Sequence, residues 1–350
     1  MKLGKKSKKM LGLTIASAGM AAVLTGCGGG EEESGSEAAG SEESGGDESI
    51  VIEHAFGETV IEETPERVAT IQWGNQDTVM ALEEVPVGFS AANFGPVNEN
   101  GVLPWTQEKM DELGMDDPTV FQDTDGLDFE AISDSNPDVI LAAYSGITQE
   151  DYDLLSEIAP VVAYPEMPWT TSWRDQITLN SQGMGMAEEG EQLITDTETL
   201  IEEKTAEYSH LEGKTVAWVN FSANDLSEMH FYTPADPRVS FLNELGLENP
   251  AGLDDVIEDE SAFSMTLSAE NADVLDDVDI IMGYGDEALY EAVKEDPQLG
   301  QIDAIENGNV AFVDAESVVG ASGTPTALSI SYTIDDYLEL IDETLNESDE

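Results

Sequence analysis

The sequence predicts an α/β fold of two lobes with mainly parallel central sheets, joined by one long interdomain helix, with a cleft between the lobes. Three observations carry this. Helix-period and strand-period segments alternate along both halves of the chain. The halves share a phrase: Phe129-Glu130-Ala131, Asp138-Val139-Ile140 and Tyr144-Ser145-Gly146 are matched by Ala269-Glu270-Asn271, Asp279-Ile280-Ile281 and Tyr284-Gly285. Glu to Tyr is 14 residues in each, and Glu to Ile140 or Ile280 is 10 in each. Between the halves, 175–208 contains no Pro and no strand-like run.

The elements follow in order. Val51-Ile52 and Thr59-Val60-Ile61 suggest a hairpin turning near Gly57, and Arg67–Ile71 begins a buried strand. Gln76–Glu84 reads as helix, Val87–Ala91 as strand and Gln107–Leu113 as helix. Phe129–Ser135 and Gln149–Ile158 are further helices; Val139–Ala143 and Val161–Tyr164 are strands. This first lobe spans 50–174. The helix over 175–208 would reach about 50 Å at about 1.5 Å per residue, with Gly183, Gly185 and Gly190 as places where it could kink. The second lobe, 209–350, has strands at Thr215–Asn220, Met229–Thr233, Ile280–Met282 and Asn309–Val313. Its helices are Arg238–Leu245 and Ala327 to about Leu345. In each copy of the repeated phrase a short helix feeds a buried strand. Ligands of α/β sheets bind beyond the carboxyl ends of strands. That rule sets Tyr144 and Tyr284 on opposite walls of one cleft, with Glu130 and Glu270 toward the far ends, one per lobe.

The first residues set the compartment. Lys2, Lys5, Lys6, Lys8 and Lys9 precede an apolar stretch from Met10 to Leu24, too short for a permanent membrane span. It ends in Leu24-Thr25-Gly26-Cys27, which resembles the bacterial lipobox. There a signal peptide, here 1–26, is removed and the cysteine carries diacylglycerol, with palmitate-type acyl chains anchoring the protein to the cell membrane. Cys27 is the only cysteine, so no intrachain disulfide forms. Gly28 to Ser49 is nearly all Gly, Glu, Ser, Ala and Asp and predicts a disordered acidic tether over 27–49.

The charge excludes one class of partner. The chain holds 12 Lys and Arg against 75 Asp and Glu. Five of the basic residues lie before Cys27, so the remainder carries a net charge of −68. Phosphate backbones need a basic surface, which rules out nucleic acid. No G-x-S-x-G, H-E-x-x-H or G-x-x-x-x-G-K-[ST] occurs, and His54, His210 and His230 are scattered, so an enzyme is not expected. Neither is a cofactor, nor a bare zinc or manganese site.

Four further phrases complete the picture: Pro65-Glu66-Arg67-Val68, Asn136-Pro137-Asp138-Val139-Ile140, Thr171-Ser172-Trp173-Arg174-Asp175-Gln176, and Asp236-Pro237-Arg238-Val239-Ser240-Phe241-Leu242 with Leu245-Gly246-Leu247. In this order, over roughly 50–347, the sequence resembles the class III periplasmic binding proteins of ferric-siderophore, haem and vitamin B12 ABC importers, and the last two phrases favour the siderophore branch. The resemblance implies a monomeric, lipid-anchored solute-binding protein with limited hinge motion. It also implies an ABC permease with its ATPase as partner, and a glutamate on each lobe, here Glu130 and Glu270, that pairs with permease arginines. Haem, cobalamin or another chelate are rival ligands, with His230 and Tyr232 as possible axial groups. A surface adhesin or structural lipoprotein is the rival of a different class.

A ferric siderophore, often anionic, suits aromatic platforms and one or two arginines. Arg67, at a strand start, reads as structural, which leaves Arg174 and Arg238 for the ligand. Trp73 follows a buried strand directly and heads the aromatic candidates. Tyr144, Trp169, Trp173, Phe231, Tyr232 and Tyr284 follow; Trp105 and Trp218 read as packing. The loop from Gly320 to Pro325 also lines the cleft in this reading.

A net charge of −68 implies strong self-repulsion unless salt screens it, with a Debye length of about 3 Å at about 1 M. The source is therefore expected to be halophilic or haloalkaliphilic. The melting temperature should climb by many degrees between millimolar and molar NaCl, followed by circular dichroism; an unchanged value rejects the idea.

Overall fold

The computed structural model describes residues 49–123 and 126–346; the signal segment, Cys27 and the acidic stretch up to residue 48 lie outside them. The first lobe runs β1 (Ile50–His54), β2 (Gly57–Ile61), β3 (Val68–Thr70), α1 (Asn75–Ala81), β4 (Gly88–Ser90), α2 (Pro104–Leu113), β5 (Val120–Phe121), α3 (Phe129–Asp134), β6 (Val139–Ala142), α4 (Gln149–Ser156) and β7 (Val161–Ala163). Two helices follow, α5 (Trp173–Gly183) and α6 (Ala187–Glu207). The second lobe runs β8 (Val216–Ser222), β9 (Asp225–Tyr232), α7 (Pro237–Glu244), α8 (Ala251–Asp254), β10 (Ser264–Ser268), β11 (Ile280–Tyr284), α9 (Glu287–Glu295), α10 (Asp303–Asn307), β12 (Val310–Val313), α11 (Val318–Ser322) and α12 (Ala327–Asn346).

The sheets echo one another. The first has order β5-β4-β3-β6-β7 and is wholly parallel. The second has order β10-β9-β8-β11-β12; β11 is parallel to β8 and β12, while β9 and β10 run antiparallel to their neighbours. Val139, Ile140 and Leu141 in β6, and Ile280, Ile281 and Met282 in β11, are fully buried, as strands covered on both faces require. The same two fastenings recur in both lobes. Asp138 Oδ2, just before β6, accepts from the Glu66 and Arg67 amides, and Asp279 Oδ2, just before β11, accepts from the Thr215 amide. At the other end, Asn75 Oδ1 accepts from the Tyr144 amide and Asn220 Oδ1 from the Tyr284 amide, each at 3.1 Å.

The interdomain segment corrects the expectation of one continuous helix over 175–208. α5 ends at Gly183 and α6 starts at Ala187, because Gly185 takes φ +74°, a left-handed turn that glycine enters without steric cost. α6 then folds back beside α5, with the Gly190 backbone against Ser181 and Glu198 reaching Arg174. The connecting rod is thus α6 alone, 21 residues and about 31 Å long.

The lobes meet through helices. α1 touches α5, α2 and α12, and α12 also packs on α2 and α6. At their centre lies Asp77 of α1, 1% exposed. Its carboxylate accepts from Trp105 Nε1 and Thr106 Oγ1 at 2.9 Å, from Thr326 Oγ1, one residue before α12, at 2.5 Å, and from Gln76 Nε2 at 3.2 Å. No cation pairs with it among the described residues. Burial therefore pushes its pKa from 3.8 up to about 6, against the lowering effect of the four hydrogen bonds.

A raised carboxyl pKa means that the folded state holds a proton the unfolded chain releases. The stability this group contributes is complete below pH about 4 and is lost as pH rises through about 6. Wild type should accordingly exceed Asp77→Asn in unfolding free energy by more at pH 5 than at pH 7.5, in urea titrations at constant molar salt. A gap that ignores pH contradicts this.

Candidate ligand cleft

Every strand of the first sheet delivers a residue to one cavity. Trp73 follows β3, Ser90 closes β4, Asp123 follows β5, Tyr144 follows β6 and Trp169 follows β7. The facing wall comes from the second lobe: Tyr232 at the end of β9, Asp236 and Arg238 at the start of α7, with Phe263 and Thr324. The cleft offers about 290 Å³ of room for water-sized groups, at the lower edge of the range of small-molecule sites.

The first wall is aromatic. Trp73 stacks on Phe94 with centroids 4.0 Å apart and planes at 7°, and its Nε1 is buried without a partner among the described residues. Tyr144 meets Trp169 edge-on at 5.3 Å. Trp169 lies over Gly146, where a Cβ would come within 2.4 Å of its indole nitrogen, so only glycine leaves room for the ring. Burial pushes the Tyr144 hydroxyl pKa up, which keeps it a donor.

The second wall is built on a helix start. Asp236 caps α7, accepting from the Arg238 amide at 2.8 Å, and Pro237 occupies the first helical position. The Asp236 carboxylate also takes Arg238 Nη1 at 3.1 Å on both oxygens, the two side chains being 1% and 12% exposed. Arg238 Nε donates to the Tyr284 hydroxyl at 3.1 Å, and the guanidinium lies 4.5 Å from the Tyr232 ring centre. Burial opposes the guanidinium charge, but Asp236 and the surrounding hydroxyls hold its pKa well above the ordinary arginine value. Nη2 takes no bond among the described residues.

Of the sequence candidates, Trp73, Tyr144, Trp169, Tyr232 and Arg238 line the cleft. Four do not. Trp173 is 1% exposed in the second lobe's core and donates to Glu244 Oε2. Arg174 is held by Glu198 at 2.6 Å and Glu244 at 2.8 Å, with its guanidinium stacked on Trp173. Phe231 is fully buried on the opposite face of β9 from Tyr232, as the two-residue repeat of a strand requires. Tyr284 stands behind Arg238 rather than on the wall, so Tyr144 faces Arg238 and Tyr232 instead of its sequence counterpart. His230, exposed on β9, is engaged with Thr266 Oγ1 at 2.9 Å and is not a cleft residue. The cleft also holds Gln72, Asn93, Phe94, Asp123, Asp236, Phe263 and Thr324, which sequence reasoning did not single out, although Thr324 belongs to the expected loop from Gly320 to Pro325. Arg67 proves structural, donating to the Ser135 and Asn136 carbonyls.

Glu130 and Glu270 are both exposed, Glu130 in the first turn of α3 and Glu270 in the first turn of a 3-10 helix, Ala269–Leu275. Asp128 caps one and Ser268 the other, where a carboxylate complements the helix dipole.

A family model described as periplasmic binding protein matches residues 68–317. The chain belongs to the periplasmic binding protein family. This binding protein is 24% identical over 348 residues to the probable siderophore-binding lipoprotein YfiY of Bacillus subtilis, covering 94% of this chain and 97% of that one. It is 49% identical to the Streptococcus pneumoniae protein PiaA, solved in complex with ferrichrome, with a TM-score of 0.81 over 85% of this chain and 99% of that one. Staphylococcus aureus SirA, solved with staphyloferrin B, shares the fold at 24% identity, with a TM-score of 0.63 over 83% of this chain and 98% of that one.

The two candidate arginines should separate in denaturant titrations. Arg238→Ala leaves Asp236 buried and unpaired and should cost about 3–5 kcal/mol. Arg174→Ala removes half-exposed pairs and should cost only about 1 kcal/mol. Equal losses contradict the assignment.

Proposed function

We propose that this binding protein captures a ferric hydroxamate siderophore in the cleft and presents it, as a monomer anchored through Cys27, to an ABC permease and its ATPase. Iron is cargo held by its own chelator, not a resident cofactor, and no chemistry is performed on it. The arrangement that carries the reading is the opposition of an aromatic wall, Trp73, Tyr144 and Trp169, to the Tyr232–Arg238 pair. A hydroxamate complex offers an apolar body and oxygen atoms around the metal. The rings cover the body, while Arg238 Nη2 and the Tyr144 hydroxyl are donors for the oxygens. The likeness to PiaA with ferrichrome supports the same ligand class.

Glu130 and Glu270 serve as docking charges. Each stands exposed in an equivalent turn of its lobe, so arginines on a two-fold permease could read both at once.

Ferrichrome should quench tryptophan fluorescence saturably, and Trp73→Ala should weaken binding by roughly tenfold or more; no saturable response sinks the reading. Glu130→Lys with Glu270→Lys should abolish iron uptake in cells and leave ferrichrome affinity unchanged; normal uptake refutes the docking role.

A further inference from the structure

Among the described residues, three charged side chains line the cleft: Arg238, Asp236 and Asp123. Arg238 and Asp236 are tied at 3.1 Å, so toward groups away from Nη2, such as the appended tail of a chelator, their charges largely cancel. Arg238 offers hydrogen-bond donors but little net attraction for an anion. This departs from the expectation that a bare arginine recruits an anionic complex.

Asp123 is different. It follows β5, where the Ser90 hydroxyl donates to Oδ2 and the Asp128 amide donates to Oδ1 at 3.1 Å. These bonds from the end of β4 and the start of the α3 cap fix the carboxylate at the cleft. No Lys, Arg or His pairs with it among the described residues. Partial burial raises its pKa, opposed by the Ser90 and Asp128 bonds, and does so without a cation to relieve the cost of the charge. Among the described residues, the cleft thus carries one uncompensated negative charge beside its aromatic walls.

In a ferric trihydroxamate the metal charge is neutralised by the hydroxamates, and any net charge resides on appended groups. Resting on the reading of the cleft as a hydroxamate site, we propose that Asp123 is a specificity-determining residue that makes this cleft prefer ferric complexes with a cationic appendage to neutral ones, and neutral ones to anionic ones. Tris-catecholate and carboxylate complexes, which are anionic, are discriminated against by the same charge. The surface acids act in the same sense, but from outside, where molar salt screens them; a half-buried carboxylate facing a bound ligand is screened far less.

The test uses one iron centre with three tails: ferrioxamine B with its free ammonium, its neutral N-acetyl derivative and its anionic N-succinyl derivative. Each is titrated by tryptophan quenching at about 1 M NaCl, where the screening length is about 3 Å. Wild type should bind them in that order, each step raising Kd by roughly tenfold, about 1.4 kcal/mol. Asp123→Asn and Asp123→Ser should bring the three values within about twofold of one another, and Asp123→Glu should keep the order. Equal affinities in wild type overturn the proposal, and so does an order that survives in both neutral variants. Should neither neutral variant fold, the wild-type and Asp123→Glu series still decide. Failure to bind any of the three or ferrichrome overturns the functional reading itself, and the proposal with it.

Discussion

Asp77 joins three helices from both lobes through one carboxylate, and the cleft depends on that junction. The strand ends of one sheet can face those of the other only if the helices behind them keep a fixed spacing. Trp105 and Thr106 of α2 and Thr326 ahead of α12 all donate to the same group, so separating the lobes would strand a buried charge or its donors. α6 packs on both α5 and α12 and resists hinging from the side. The cavity is therefore largely formed before the ligand arrives, and binding costs little ordering of the protein. In the docking role proposed for Glu130 and Glu270, such stiffness keeps the two carboxylates at a fixed separation.

The electrostatics of the site turn on one buried cation in a strongly acidic protein. A chain with a net charge of −68 after Cys27 has few cations to place, yet it buries one at the cleft. Asp236 makes this possible. As the cap of α7 it is positioned by the backbone, and it holds Arg238 in place while cancelling most of its field. What remains is a planar donor, stacked on Tyr232 and braced by Tyr284, whose orientation matters more than its charge. Selection among iron complexes then falls to shape, to the aromatic wall and to the unpaired Asp123.

Much of this was legible in the sequence, for identifiable reasons. Buried parallel strands are short apolar runs, so β3, β6, β7, β8 and β11 stood out. The repeated phrase located Tyr144 and Tyr284 at matching strand ends, and the recurring Asn75 and Asn220 bonds give that repeat its physical basis. β10 escaped because Ser264–Ser268 alternates between exposed and half-buried residues and holds little apolar bulk. α9 escaped although Leu289 and Val293, four apart, are the signal of a helix face. The break at Gly185 could be named as an option but not chosen, since glycine permits a turn without requiring one. Within the site, strand alternation would have separated Phe231 from Tyr232. Nothing local could have removed Trp173 and Arg174, whose partner Glu244 lies some seventy residues away. Asp123 was invisible among 75 acids until the fold placed it beside the cleft.

The central claim is that a ferric hydroxamate lies between two preformed walls. A crystal structure of the protein soaked with ferrichrome tests it most directly. The expected result places the complex against Trp73, Tyr144 and Trp169, with Arg238 Nη2 within hydrogen-bond distance of a hydroxamate oxygen and the Asp77 cluster unchanged. Iron density outside the cleft, or a bound state in which Thr326 has left Asp77, would contradict it.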